Sequence, residues 1–359
     1  MIRSSVILAR MSRGVTWIAL AFLALVIVAA SMRSSQIRVD QRPAALDEVG
    51  IRLGGEWLTA SPFHGDLQLG TITQIVARRS GELAILGTEA AAFLQVDGSQ
   101  RLVTFRPRSR ETELVETLGQ PRYVDRGGGG WQTGAFIGED GARLWRPDSM
   151  HGMDDLAAGD VDGDGVPEVA VGYNGDGGIH LHDAAGELRW REDDANVWHV
   201  EVVDTDGDGR SEVVHSNAGG QLTIRDASGK VRRRKAMEGY LSQFSVLAWP
   251  PEQSGLLYAG DGVTRVVDFE GRTRVRLSTP DSNFLMAAHG APVRFGTDDF
   301  LVVTLSMDNW DRTQLFVFDR DGTLRYREVV SGVCNAVAAP EPDAFLFGCG
   351  PSVRRYALR

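Results

Sequence analysis

Apolar residues recur along this chain in short alternating runs. Each run is closed by an Asp/Gly turn and followed by a second run that often ends in an aromatic residue. Such a unit reads as a β-hairpin. It occurs as Phe93-Leu-Gln-Val-Asp97-Gly98, as Phe136-Ile-Gly-Glu-Asp140-Gly141-Ala-Arg-Leu-Trp145, and as Ile179-His-Leu-His-Asp183-Ala-Ala-Gly186-Glu-Leu-Arg-Trp190. It occurs again as Leu222-Thr-Ile-Arg-Asp226-Ala-Ser-Gly229, Arg265-Val-Val-Asp268-Phe-Glu-Gly271 and Leu315-Phe-Val-Phe-Asp319-Arg-Asp-Gly322. Ile51-Arg-Leu-Gly54-Gly55-Glu-Trp57 reads as the second half of one more. The turn glycines 55, 98, 141, 186, 229, 271 and 322 are spaced by 43, 43, 45, 43, 42 and 51 residues.

A repeat of about 40 to 45 residues holding four short strands is the size of a β-propeller blade. Seven hairpin marks predict an all-β, seven-bladed β-propeller over residues 49–359. A pair of packed β-sandwiches is the competing architecture, but it has no need of so regular a period. Blades are expected at about 71–105, 114–146, 153–191, 197–235, 241–277 and 284–329. The last blade is built from 333–338, 344–348 and 353–358. Only 37 residues follow Gly322, too few for another complete hairpin. The segment 49–58 is therefore expected to supply the missing outer strand and close the ring, removing two open sheet edges. The long sixth repeat is expected to carry a protruding loop around Ser306-Met-Asp-Asn-Trp310-Asp-Arg-Thr.

Two blades carry an acidic loop between their first and second strands. One reads Asp160-Val-Asp162-Gly-Asp164-Gly165-Val-Pro-Glu168 and the other Asp204-Thr-Asp206-Gly-Asp208-Gly209-Arg-Ser-Glu212. Acids stand at loop positions 1, 3, 5 and 9, with Gly at 6, where a sharp turn is needed. Carboxylates packed this closely repel one another unless a cation lies between them. Oxygen-only ligands favour a hard cation, Ca²⁺ above all. An EF-hand is excluded, because its position 12 must be a bidentate Glu and its flanks helices. Here position 12 is Val171 or His215, and the flanks are Val-rich strands.

Within the 43-residue repeat, these loops resemble the FG-GAP, or VCBS, repeats of integrin α-subunit-like propellers. The resemblance implies two structural calcium sites. Their ligands would be Asp160, Asp162, Asp164, the Val166 carbonyl and Glu168, and Asp204, Asp206, Asp208, the Arg210 carbonyl and Glu212. The chain departs from the family in having Glu at position 9, Ser-Glu for Pro-Glu in the second loop, and the motif in only two of seven blades. It also implies a propeller that works as a binding platform, with no catalytic task for the metal.

The N-terminus changes the picture of location. Arg3, Arg10 and Arg13 precede an uncharged apolar run, residues 14–32, about long enough to cross a bilayer as one helix. Residues 1–32 therefore read as a cytoplasmic tip and a transmembrane anchor, and 33–48 as a polar linker. A signal peptide cleaved near Ala29-Ala30-Ser31 is the alternative, and would leave a secreted protein. The propeller is expected on the extracytoplasmic side of a bacterial inner membrane, because such calcium loops would be empty in a cytosol poor in Ca²⁺. The net charge of −10 argues against a nucleic-acid partner.

Cys334 and Cys349 flank Pro340-Glu-Pro342, a candidate hairpin turn, and would face each other across an antiparallel pair as a disulfide. Two reduced, buried thiols are the other reading. His180 and His182 point the same way from one strand, and His199 could face the axis of the ring. No nucleophile–base arrangement stands out. The chain thus reads as a membrane-anchored, calcium-stabilised platform for a protein or glycan. The alternative is a propeller enzyme, a lyase or hydrolase acting on polysaccharide. Less favoured still is a quinoprotein-like protein, suggested by the Asp183-Ala-Ala-Gly-Glu-Leu-Arg-Trp190 hairpin.

Overall fold

The middle strands of each repeat are apolar on both faces. Glu168–Tyr173 is buried along its whole length, and so are four of the five residues of Ala90–Leu94. A strand tolerates this only where both faces of its sheet are covered. In the computed structural model the cover comes from neighbouring sheets arranged in a ring. The description extends over residues 52–358, excluding 54–55, 64–66, 79, 110, 116–120, 127–133, 148–150, 251–252, 278, 280–284, 308–311 and 333. The expected anchor and linker, residues 1–48, lie outside the described residues. So does the Gly-rich segment 127–130. Among the described residues no helix is long and apolar enough to cross a membrane.

The described residues form seven sheets, six of four strands and one of five; the four-stranded sheets are meanders of consecutive antiparallel strands, and the five-stranded one joins strands from both ends of the described chain. The blades span 72–104, 112–145, 153–192, 199–236, 245–277, 285–331 and 336–358. The first strand of each blade is innermost. These strands meet around the ring in sequence order, the last, Ala336–Glu341, packing on the first, Ile72–Ala77. Seven hydrophobic clusters fill the seven gaps between blades. One joins Phe93 to Tyr123 of the next blade, another Val169 to Phe136, and another Ile85 to Leu346. The core is thus a circle of seven inter-blade layers.

The ring is closed by the strand Glu56–Pro62, which lies antiparallel to Ser352–Leu358 with Leu58 opposite Leu358 and Pro62 opposite Arg354. The closing segment sits a few residues later than the predicted 49–58. The pairing begins where Leu58 is buried beside Phe345 and Tyr356 in the cluster between blades six and seven. Arg52–Leu53 adds a fifth strand outside it. The long sixth repeat also differs from expectation. Its first two strands run for 11 and 10 residues, and Ser306, Met307, Arg312 and Thr313 are strand residues. The additional length is taken up in longer strands rather than a loop that begins at Ser306; residues 308–311 lie outside the described residues.

Turn chemistry docks some blades directly. The indole of Trp145 donates to the Ala184 carbonyl at 3.1 Å, and that of Trp190 to the Ala227 carbonyl at 3.0 Å, each in the following blade. Each ring lies on a turn glycine, Gly186 at φ +90° and Gly229 at φ +83°. A Cβ there would come within about 3.0 Å of the indole. Cys334 and Cys349 form a disulfide within the closing blade, with Cα atoms 4.4 Å apart. Trp190→Ala removes both the indole cover of Gly229 and its hydrogen bond. It should lower the unfolding free energy by about 2 kcal/mol, and Trp190→Phe by about half as much. Urea denaturation of the two variants against the parent checks the order.

Candidate functional site

The two acidic loops lie side by side at one end of the inner strands of blades three and four. Each leaves the last residue of an inner strand and returns at a glutamate opposite it: Gly159 pairs with Glu168, and Val203 with Glu212. The loop form is set by Asp/backbone bonds. Asp160 accepts from the amides of Gly163 at 2.7 Å and Gly165 at 2.9 Å. Asp204 accepts from those of Gly207 at 2.6 Å and Gly209 at 2.9 Å. The buried glutamates are held from behind, Glu168 by the Val161 amide at 2.8 Å and Glu212 by both the amide and hydroxyl of Thr205. The Ser211 amide donates to the Asp160 carbonyl at 2.9 Å, joining the two loops.

Carboxylate oxygens of Asp160, Asp162 and Glu168 all lie within 4.8 Å of one another, and those of Asp204, Asp206 and Glu212 do the same. Such an all-oxygen set suits a hard cation. The other residues implied by the resemblance are placed differently. Asp164 and Asp208 stand outside these convergent sets, their Oδ1 atoms accepting from the amides of Val166 at 2.7 Å and Arg210 at 2.8 Å. An arginine reaches each cluster from the outermost strand of its own blade. Arg189 contacts Asp162 at 2.6 Å and Glu168 at 3.2 Å; Arg232 contacts Asp206 at 2.9 Å and Glu212 at 2.6 Å. The two arginines are 43 residues apart, one repeat.

A second assembly lies on the axis, where residues scattered through the sequence converge. Arg126, on blade two, is nearly buried. It donates to both oxygens of Asp155 at 3.0 and 2.8 Å, to Glu113 at 2.6 Å and to Glu201 at 3.0 Å. His199 approaches Asp155 at 2.6 Å through Nδ1 and Glu201 at 3.2 Å through Nε2. These groups shift one another. Burial would push His199 down, but Asp155 and Glu201 override it and hold the imidazole at about 9. Burial raises Glu113 to about 7 against the pull of Arg126. Asp155 is held well below the usual carboxylate range, because Arg126 and His199 outweigh its burial. Burial lowers His289, on blade six, to about 4, and the charges of His199 and Arg126 act the same way.

This network forms the wall of an axial cavity of about 240 Å³, which Glu111, Glu113, Arg126, His199, Glu201 and His289 help to line. A wider cavity of about 840 Å³ lies alongside, bounded by Val76, Leu114, Ala157 and Val202 and by Asp160 and Asp204 of the acidic loops. Glu113 and Glu201 line both. Of this assembly, sequence reading singled out His199 alone. Arg126, Glu113 and Glu201 were missed, since only ring closure brings blades two, four and six together. Their one local signal is a charge within or beside an otherwise apolar inner strand. His180 and His182 pack on aromatic rings, Tyr173 at 4.5 Å and Trp145 at 5.3 Å between centroids, and His182 Nδ1 is engaged with the Gly186 carbonyl.

No family model and no curated protein matches the chain. Among solved structures, a streptogramin B lyase superposes with a TM-score of 0.56 at 9% identity, covering 84% of this chain and 98% of that one. Virginiamycin B lyase from Staphylococcus aureus gives 0.56 at 9%, covering 84% and 100%. BBS1N in complex with ARL6DN gives 0.52 at 11%, covering 87% and 96%. The likeness is one of fold.

His199 and Glu113 make stability fall as pH rises, whereas His289, His180 and His215, held low by burial, act in the opposite sense up to about 6.5. Folded His199 binds its proton more tightly than the unfolded chain does, so its contribution is complete below about 6.5 and lost as pH rises through about 9. Glu113 acts in the same sense lower down, between the ordinary glutamate value and about 7. Urea unfolding from about pH 7.5 to 9, above the range of the lowered histidines, should show the His199 decline, and His199→Gln should flatten it. Asp155→Asn removes the buried charge that Arg126 and His199 share and should cost about 3–5 kcal/mol at neutral pH.

Proposed function

We propose that the chain is a membrane-anchored, extracytoplasmic β-propeller, stabilised by two calcium ions, that offers one face as a platform for a protein or glycan. One observation carries the calcium part: the same convergence of three carboxylates, on the same loop form, in two consecutive blades. Asp160, Asp162 and Glu168 would hold one ion and Asp204, Asp206 and Glu212 the other. In that role the ion ties the first strand of each blade to the second and fixes the wall of the wider cavity. The uncharged run of residues 14–32 supports the anchor and the extracytoplasmic placement, with secretion after cleavage as the alternative.

Addition of Ca²⁺ to chelator-treated protein should raise its melting temperature, and Asp162→Ala with Asp206→Ala should remove most of the rise. A melting temperature indifferent to Ca²⁺ sinks the calcium reading. Arg189 and Arg232 hold the same carboxylates as the ion would, so each guanidinium competes with it. Arg189→Ala with Arg232→Ala should therefore tighten calcium binding about tenfold in a calorimetric titration.

A second reading, an enzyme acting on polysaccharide as lyase or hydrolase, is favoured by the axial cavity. Its wall brings His199, His289, Glu113 and Arg126 together, residue types that serve as acid, base and charge neutraliser. Release of unsaturated or reducing sugar ends from bacterial polysaccharides, abolished by His289→Ala, would decide for it.

A further inference from the structure

We infer that the axial cavity is a binding site for a small organic cation, a compound carrying a primary ammonium group. The site lies away from the acidic loops and does not depend on calcium.

The cavity wall carries more acidic than cationic groups, and some of its acceptors are unused. Four carboxylates, Glu111, Glu113, Asp155 and Glu201, surround two cationic groups, Arg126 and His199. Asp155 is fully engaged: it accepts from Arg126, from the amides of Leu156 and Val200, and from His199. Arg126 is equally committed, donating to Asp155, Glu113, Glu201 and the Val200 carbonyl. Arg126 has no free face for the remaining acids, and the one unbonded nitrogen of His199, Nε2, lies 3.2 Å from Glu201 Oε1.

Those acids keep unused oxygens. Arg126 takes only Oε2 of Glu113 and Oε1 of Glu201, and His199 Nε2 lies 3.2 Å from that same Oε1. Among the described residues, no hydrogen bond reaches the other oxygen of either glutamate, and none reaches the side chain of Glu111. All three residues line the cavity. Three buried atoms of residues on the same wall, His199 Nε2, His289 Nε2 and Thr112 Oγ1, also have no hydrogen-bond partner among the described residues, and Thr112 is only 1% exposed. An imidazole held neutral, as burial holds His289, can accept from a ligand N–H. Burial raises both Glu111 and Glu113, as expected of carboxylates short of a counter-charge.

A bare metal ion fits less well. The only sets of three or more candidate ligands that converge closely, among the described residues, are the two acidic loops. The axial acceptors are spread around a cavity of about 240 Å³. That arrangement suits the fanned N–H donors of an ammonium group and a short carbon chain, in a space below the roughly 300–1,000 Å³ of drug-sized pockets.

The test is calorimetric titration of the full chain in detergent, with chelator present, using 1,4-diaminobutane and its uncharged analogue 1,4-butanediol. The diamine should bind one per chain and the diol should not. Glu111 makes no side-chain bond, so Glu111→Gln leaves the network intact and should weaken binding about tenfold. Glu113→Gln should do the same, with its melting temperature measured alongside. Glu139→Gln, at an exposed turn, should leave affinity unchanged. Absence of diamine binding overturns the inference. So does equal binding of diol and diamine, an unaltered affinity in Glu111→Gln, or equal weakening by Glu139→Gln. Because chelator is present throughout, loss of the calcium response in separate experiments leaves this result standing.

Discussion

A sheet whose middle strands are apolar on both sides has no stable existence by itself, and this one constraint organises the molecule. Each blade must be sandwiched, each sandwiching blade must be sandwiched in turn, and the demand ends only when the row bends round and meets its own beginning. The seven inter-blade clusters are that demand made visible. Trp145 and Trp190 refine it at two junctions, where an indole replaces the aliphatic contact and adds a directional hydrogen bond to the next turn.

Much of the fold was legible because its signals are local. Turn glycines such as Gly186 and Gly229 sit at φ values that L-residues avoid, so the hairpins mark themselves in the sequence at each repeat. The acidic loops were legible for the same reason: the hydrogen bonds that Asp160, Asp204, Glu168 and Glu212 make within their own loops run between residues fewer than ten apart. Where the reading slipped, the deciding contact was distant. Closure begins at Leu58 because Phe345 and Tyr356, nearly three hundred residues away, offer the apolar site that buries it. The sixth blade absorbs its additional residues in longer strands because apolar neighbours on both sides make further pairing more favourable than an excursion into water.

The axial network marks the limit of such reading. Arg126, Asp155 and Glu201 belong to three blades, and no spacing rule relates them. What brings them together is the geometry of a ring, in which every inner strand faces one axis. Charges there are removed from water and must satisfy one another, so one guanidinium gathers three carboxylates. The acidic loops and the axial network are therefore different kinds of acidic site. The first is built by turn chemistry within a blade, the second by convergence between blades.

The pairing of Glu56–Pro62 with Ser352–Leu358 also has a consequence in time. A chain made or exported from its N-terminus presents this first strand long before its partner exists. Blades one to six can stack as they emerge, but the outermost strand of the seventh must wait until residue 358 is available. The interval is one of exposure: an unpaired strand at one end of the growing row and an uncovered apolar sheet at the other. The last strand to arrive thus does more than complete a sheet, since it turns an open stack, able to add neighbours at both ends, into a particle with no ends.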